Sequence, residues 1–498
     1  MFGRRVLEVV LVCASTTAYA GGAPPRPPDP SGWNVLLLIL DDCRADALGD
    51  AGNAAAPTPN LDRFAAEGVR FEHAFAQAVC CNPSRVCFLS GLRPPTTRVF
   101  TNAQRARNCM PPEMLTLPQM MRAAGFHTAA VGKLFHHDGE ENAVDMMAFD
   151  RLEFSDPPEG RHDPPPTLTP PPPRTSQPPA GLDRSERRSW RSDYLDQFGD
   201  SGLSDEDEED GRIARTAAEL IRQLADERRH FFLAVGTARP HAPLLCPLSY
   251  LARVNPESVT VPPGRDADQD VPQVAVRFGR SADLFMDQDP EGEEARSAIA
   301  AYHACVSFVD AQLGLILDAL EETGLWESTI VVVLADHGFH LGEHDQWSKY
   351  TLFDPSVGVP LIFRVPGASG NGSVCEEIVE LVDLVPTLAE LVGLDVPASL
   401  EGTSLVPLLQ DSPPPWKRAA FTWLGVGGRQ RSVRTKTHRY TEWQDRGETV
   451  FELYDLRSPG GERVNLAGEP AVASVQSELA VLLQAGWRAA ATETAPAR

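Results

Sequence analysis

Asn34-Val35-Leu36-Leu37-Leu38-Ile39-Leu40-Asp41-Asp42 is the stretch on which the fold is read. Asn34 to Leu40 forms a continuous apolar run with no alternation. That is the pattern of a parallel strand covered on both faces, not of a strand with one wet side. It delivers two carboxylates, Asp41 and Asp42, at its carboxyl end. Thr58-Pro59 then offers a helix N-cap and a first-turn proline, with Leu61, Phe64 and Ala65 at helical spacing before a stop at Gly68. Strand and helix together make a βα unit.

The same grammar recurs three times. Leu117 to Ala124 reads as a helix ended by Gly125, and the strand Phe126 to Val131 runs into Lys133 and His136. Phe231 to Val235 is a strand leading to Arg239-Pro240-His241. The helical stretch Glu294 to Thr323 stops at Gly324, and the strand Thr329 to Ala335 ends on Asp336-His337-Gly338. Four strands thus deliver ionisable groups at their carboxyl ends, where open α/β sheets bind ligands. The expected architecture is α/β, with a large mostly parallel sheet flanked by helices over residues 33–410. A break at Asp411-Ser412-Pro413-Pro414-Pro415 marks the expected boundary with a smaller α+β domain, 416–498. There, Arg431 to Trp443 and Thr449 to Leu456 alternate as antiparallel strands do, ahead of a terminal helix from Ala471 to about Ala490. Residues 155–210 lose apolar periodicity, gain prolines and end in the acidic run Ser204 to Asp210; they read as an exposed insertion with a solvated charged edge.

Composition bounds the function. With 498 residues the chain exceeds the usual span of one domain. A formal charge of −24 argues against a nucleic-acid partner, which needs a basic face. No uninterrupted apolar run reaches the ~20 residues that span a bilayer, so no integral membrane segment is expected. Residues 1–20 read as a signal peptide: Arg4 and Arg5, a mostly apolar stretch Val6 to Val12 interrupted by Glu8, and Ala18-Tyr19-Ala20 for cleavage. Its alternative is an uncleaved, disordered N-terminus. The signal points to the secretory pathway, with the protein secreted or lysosomal, and Asn371-Gly372-Ser373 is the one usable glycosylation acceptor. The nine cysteines show no metal-type spacing, and Cys43, Cys80 and Cys87 read as buried structural thiols.

Cys81-Asn82-Pro83-Ser84-Arg85 carries the sharpest chemical signal. Pro83 pre-sets a helix start, which puts residue 81 where unsatisfied N–H groups point at an anion. With Asp41-Asp42, Ala335-Asp336-His337-Gly338, Pro59-Asn60-Leu61-Asp62, Val359 to Phe363 and Glu452 to Leu456, this pentapeptide resembles the formylglycine-dependent sulfatases of the alkaline phosphatase superfamily. The likeness is nearest to their iduronate-2-sulfatase-like branch and spans almost everything from Asn34 to Leu466.

The resemblance implies an alkaline phosphatase-like fold and hydrolysis of a sulfate monoester on a small molecule or saccharide. It also implies conversion of Cys81 to formylglycine by a formylglycine-generating enzyme. In that family the hydrated aldehyde attacks sulfur through one oxygen, and the other later expels sulfate. Asp41, Asp42, Asp336 and His337, with residue 81, would surround a divalent cation; an oxygen-rich set favours Ca²⁺. Imidazole at 337 is a departure, since many relatives carry Asn there. Arg85 and Lys133 match the positions that hold the diol and contact sulfate, His136 the base in sulfate release, and His241 and Lys349 the groups near the leaving oxygen, with His241 the preferred general acid. Arg239 stands where relatives often have Lys, and Ser90 where Thr is usual. Asp310 and His303 read as structural, and His137, His340 and His344 receive no role. Two other readings stay open: a phosphoester or phosphonate hydrolase on the same fold, and a binding ectodomain in which Cys81 is never matured. The carboxylates could also serve only as helix caps after strands.

Overall fold

The apolar run is a strand, β1 (Asn34–Asp41), and all of its residues are buried. The structure is a computed structural model that describes residues 32–111, 113–136, 148–153, 196–277, 284–285, 290, 292–410 and 414–491. The signal segment, residues 154–195 of the proline-rich span, 411–413 of the proposed boundary and His137 lie outside the described residues. Along the chain β1 is followed by α1 (Pro59–Ala66), β2 (Val69–Phe75), α2 (Cys81–Ser90), α3 (Leu117–Ala123), β3 (His127–Gly132) and β4 (Arg151–Glu153). Next come β5 (Phe198–Asp200), α4 (Glu209–Asp226), β6 (Phe231–Pro240), β7 (Leu244–Cys246) and α5 (Gly292–Glu322). The chain continues through β8 (Thr329–Ala335), β9 (Leu361–Arg364), β10 (Ser373–Glu380) and α6 (Leu384–Leu391). It closes with β11 (Ala420–Leu424), β12 (Gln430–Arg434), β13 (His438–Asp445), β14 (Glu448–Asp455) and α7 (Ala473–Ala485).

The large sheet has the order β10-β2-β9-β8-β1-β6-β3-β4. β1 pairs in parallel with β6 on one side and β8 on the other, Leu37 lying opposite Ala234 and Val332. Only β9 runs against its neighbours β8 and β2. A parallel neighbour needs a crossover that returns the chain to the far edge. The segment between β8 and β9 stays at one edge with a single short helix, so β9 comes back reversed. α4 and α5 pack on each other and α1 on α5, whereas α2 packs against α3 and α6. By length and composition α5 is apolar enough to cross a membrane, but 83% of its most apolar window is buried in the fold, which makes it a core helix.

The second sheet is antiparallel, in the order β11-β12-β13-β14. Its Trp443 and Tyr454 join Phe75, Phe353 and Ile378 in an apolar seam against the large sheet. Its other face is covered by Leu479, Leu482 and Leu483 of α7. The expected antiparallel strands form, but Arg431 to Trp443 is two of them, β12 and β13, and β13 and β14 bury consecutive residues instead of alternating because both faces are covered; β11, preceding the predicted strands, is an addition.

Two local expectations are corrected. Thr58 does not cap α1 through its side chain. Its hydroxyl bonds Asp62 and Gly49, and the free N–H groups of Asn60 and Leu61 go to the Asp310 carboxylate, 3.3 and 2.7 Å away on α5. The acidic run is also not simply solvated. Glu208 and Asp210 are buried, because α4 begins inside the fold and needs negative charge at its positive end.

Candidate active site

The strand ends converge as the sequence predicts, and two glycines show how. Gly132 has φ +72°, and a Cβ there would stand 2.3 Å from the Gly236 carbonyl; one on Gly236 would stand 1.7 Å from that of Lys133. Only bare backbone lets β3 close onto β6 and place Lys133 at the edge beside Asp41. From β1, Asp41 and Asp42 arrive fully buried, as do Asp336 and His337 from β8. Cys81 begins α2, with Cys80 at the cap position. One carboxylate oxygen each from Asp41 and Asp42, the Cys81 sulfur and a His241 nitrogen lie within 4.8 Å of one another, and so do ligand atoms of Cys81, Asp336 and His337.

Cations offset these acids one by one. Lys133 Nζ bonds Asp41 Oδ2. Lys349 Nζ lies 2.8 Å from both oxygens of Asp42 and 3.6 Å from the Cys81 sulfur. Burial would raise the carboxyl of Asp41, but Lys133 and Arg85 hold it well below the usual range. Burial raises the carboxyl of Asp42 against the pull of Lys349, and it raises Asp336, with Asp41 adding to the effect, to about 7. The Cys81 thiol is driven the other way: burial opposes ionisation, yet Lys133, Lys349 and His337 hold it well below the usual thiol range. A group of partial or full negative charge is favoured at position 81, as expected for the place where an oxyanion forms.

Backbone carbonyls set the histidine tautomers. His337 Nδ1 is 3.0 Å from the Gly338 carbonyl, which can only accept, so Nδ1 carries the proton and Nε2 faces Cys81 at 3.4 Å. His241 does the same through the Ala242 carbonyl at 2.6 Å, leaving Nε2 toward Asp42 at 3.9 Å. Burial lowers and acidic neighbours raise both imidazoles; the net is upward, to about 10 for His337. His136 stands close enough to Cys81 to help hold its thiol down. The residues singled out for the site from sequence therefore cluster around Cys81, with Arg85 behind the carboxylates.

Arg85 has a duty beyond the one its resemblance implied. Its guanidinium is fully buried and donates to Asp336 Oδ2 (2.9 Å), Asp41 Oδ1 (3.1 Å) and the carbonyls of Lys133 and Leu134. With four of its five N–H donors committed to groups at the ends of β1, β3 and β8, it braces two carboxylates of the site. Sequence reading also missed several supports. The Ser84 hydroxyl bonds the Asp336 carbonyl. Asn102 Oδ1 accepts from the Cys80 thiol and the Asn82 amide. Asp210, pushed up to about 7 by burial, anchors the amides of Ala238 and Arg239 ahead of His241. Ser84 stands in the quoted pentapeptide without a role assigned to it, and Asn102 and Asp210 have no local signal because their partners are distant in sequence. His340 and His344 sit in a buried network with Thr351 and Asp268 and take no part. The eight cysteines among the described residues are free thiols, Cys43, Cys80 and Cys87 among them buried.

The sulfatase family profile matches residues 33–394, and a second profile, N-sulphoglucosamine sulphohydrolase, C-terminal, matches 342–487. The chain belongs to the sulfatase family. It is 31% identical over 444 residues to a sulfatase of Formosa agariphila, covering 87% of this chain and 83% of that protein. It is 32% identical to iduronate 2-sulfatase of Homo sapiens, over 79% of this chain and 75% of that one. Among solved structures, the phosphonate monoester hydrolase of Agrobacterium radiobacter superposes with a TM-score of 0.75 at 24% identity, covering 91% of this chain and 95% of the other, and shares the fold. As a sulfatase the chain is an enzyme, and its family implies a bound metal and a formylglycine. The donor set fits both: three buried carboxylates make it hard and mostly oxygen, His337 Nε2 would join them on giving up its proton to the incoming charge, and the Cys81 sulfur stands among these groups.

Proposed function

We propose that this sulfatase hydrolyses a sulfate monoester carried by a saccharide, using formylglycine made from Cys81 and a resident Ca²⁺. What carries the reading is the convergence of three carboxylates, Lys133, Lys349 and three imidazoles on one buried side chain at the start of α2. The saccharide is supported by the 32% identity to a protein named iduronate 2-sulfatase.

Oxidation of Cys81 supplies a hydrated aldehyde, a nucleophile that the unmodified thiol is not. Asp41, Asp42, Asp336 and His337 would hold the cation, which would supply charge neutralisation for the nucleophile and the sulfate. Lys133 and Lys349 place two further positive charges on the same side. His241, with Nδ1 tied to a carbonyl, moves its proton at Nε2; its raised pKa keeps that proton available for the departing alcohol oxygen. His136, near the side chain at 81, accepts the proton released there when sulfate leaves. Arg85 holds Asp41 and Asp336 in place. Maturation calls for a formylglycine-generating enzyme, and the N-terminal signal for a secretory route to a secreted or lysosomal location. Glycosylation at Asn371 would have to coexist with the bond its Nδ2 makes to the Val365 carbonyl at 2.9 Å.

The test has two steps. The mass of the peptide containing Cys81, from protein co-expressed with the maturation enzyme, should show an aldehyde in place of the thiol. Turnover of sulfated saccharides should then exceed turnover of matched phosphate and phosphonate esters by orders of magnitude. A persistent thiol favours the binding ectodomain, and preference for phosphorus esters favours the hydrolase suggested by the shared fold.

A further inference from the structure

Asp41 and Asp42 are consecutive residues at a strand end, and successive side chains of a strand point to opposite faces. Their carboxylates nevertheless share one pocket. The chain achieves this by leaving the extended conformation at Asp42, whose φ is +63°. That left-handed region is uncommon for a non-glycine residue, Asp entering it more readily than most, and contacts from the surroundings keep it there. The surroundings here are one side chain from a different layer of the fold. The hydroxyl of Tyr302, on α5, donates to the Asp42 carbonyl at 2.8 Å and accepts the Arg44 amide at 3.0 Å. One oxygen thus spans both ends of the turn 42–44. The ring is fully buried and stacks on Phe339 at 6.1 Å, which fixes where that oxygen sits. The Asp42 amide completes the arrangement by donating to Asp336 Oδ1 at 3.1 Å.

We propose that Tyr302 is a positioning residue for the dication site: its hydroxyl holds the left-handed turn that brings the Asp42 carboxylate onto the same side as Asp41. The proposal rests on the reading of these carboxylates as cation ligands. Burial raises the phenol's pKa well above its ordinary value, so the group stays a donor through the working range. Phenylalanine would keep the packing and lose both bonds.

The experiment compares metal-stripped wild type, Tyr302→Phe and Phe308→Leu by calorimetric titration with Ca²⁺ alone, together with melting curves. Phe308 is buried on the same helix and packs on Tyr250 at 5.3 Å, so its variant perturbs α5 without touching the turn. Loss of a partner that orients a metal ligand weakens affinity by about 10- to 100-fold, and that rise in Kd is expected for Tyr302→Phe, with Phe308→Leu binding as wild type does. A Tyr302→Phe protein that binds Ca²⁺ within about threefold of wild type, or a Phe308→Leu protein that loses as much, overturns the proposal while leaving the cation site standing. Wild type that binds neither Ca²⁺ nor Mg²⁺ overturns both. Hydrogen exchange on the wild type needs no variant: the Arg44 amide should be protected and become more so with Ca²⁺. An unprotected Arg44 amide in the loaded protein also refutes the clamp.

Discussion

Arg85→Met removes the brace beneath the site and leaves everything else in place. The guanidinium is wholly buried and makes two charged contacts, to Asp336 at 2.9 Å and Asp41 at 3.1 Å, besides its two carbonyl bonds. Breaking a buried ion pair by removing one partner costs about 3–5 kcal/mol, because the other charge stays buried. Counting the two charge-assisted bonds at roughly 1.5–3 kcal/mol each reaches the same range. At about 2.1 cal/mol/K of unfolding entropy per residue, a chain of 498 residues shifts by about 1 °C per kcal/mol, so a fall of roughly 3–5 °C is expected. Arg85→Lys keeps the charge but cannot reach all four acceptors, and should fall between the two. Activity is the wrong readout, since Arg85 also belongs to the pentapeptide read during maturation. Unfolding of the unmatured protein, with and without Ca²⁺, isolates the brace. Added cation should return more stability to the Met variant than it adds to wild type. If Arg85→Met unfolds within about 1 kcal/mol of wild type in metal-free buffer, the carboxylates do not depend on it and the reasoning fails.

Cys81→Ala should abolish sulfate-ester turnover while lowering stability by only about 1 kcal/mol, the cost of one small buried group; residual turnover near wild type would remove residue 81 from the chemistry. Lys349→Met, which strips two bonds from Asp42, should lower kcat by about 10²- to 10³-fold, the usual effect of losing one charge-stabilising donor, and a loss under tenfold contradicts that role. Arg93→Met should cost about 3–5 kcal/mol, because Arg93 grips buried Glu380 at 2.6 and 2.7 Å where Lys417 and the Phe421 amide also bind; kcat per folded molecule should not change. Glu452, buried beside Trp443 and Tyr454, is pushed by burial to about 7 from an ordinary 4.5. Because the folded value is the higher one, its contribution is full below about pH 4.5 and is lost as pH rises through about 7. The stability of Glu452→Gln relative to wild type should therefore improve by about 3 kcal/mol between pH 5 and 8, and a pH-independent difference counts against the shift.

Residues whose environment is announced by their neighbours in sequence were placed without a structure. The unbroken apolar run of β1 requires two covered faces, so a parallel central strand follows from six side chains alone, and the carboxylates at its end follow with it. The glycines at 125 and 324, both at positive φ, ended helices where the periodicity said they would. Cys-x-Pro-Ser-Arg likewise pointed to the sulfatase family, whose profile matches residues 33–394.

What only the tertiary structure decided depends on partners hundreds of residues apart. The resemblance puts Arg85 against the diol and sulfate, and the fold adds a second duty, with four of its five N–H donors going to Asp41, Asp336 and two carbonyls. Asp210 lies in a run of acids that looks solvated, yet it is buried as the anchor of the backbone before His241. Asp310 and Tyr302 sit in an amphipathic helix with nothing local to mark them, and they cap α1 and hold the turn at Asp42 across the fold. Apolar pattern is a local property, because burial is felt residue by residue along an element. Hydrogen-bond and charge partners are properties of pairs, and the chain alone does not say which pairs will meet.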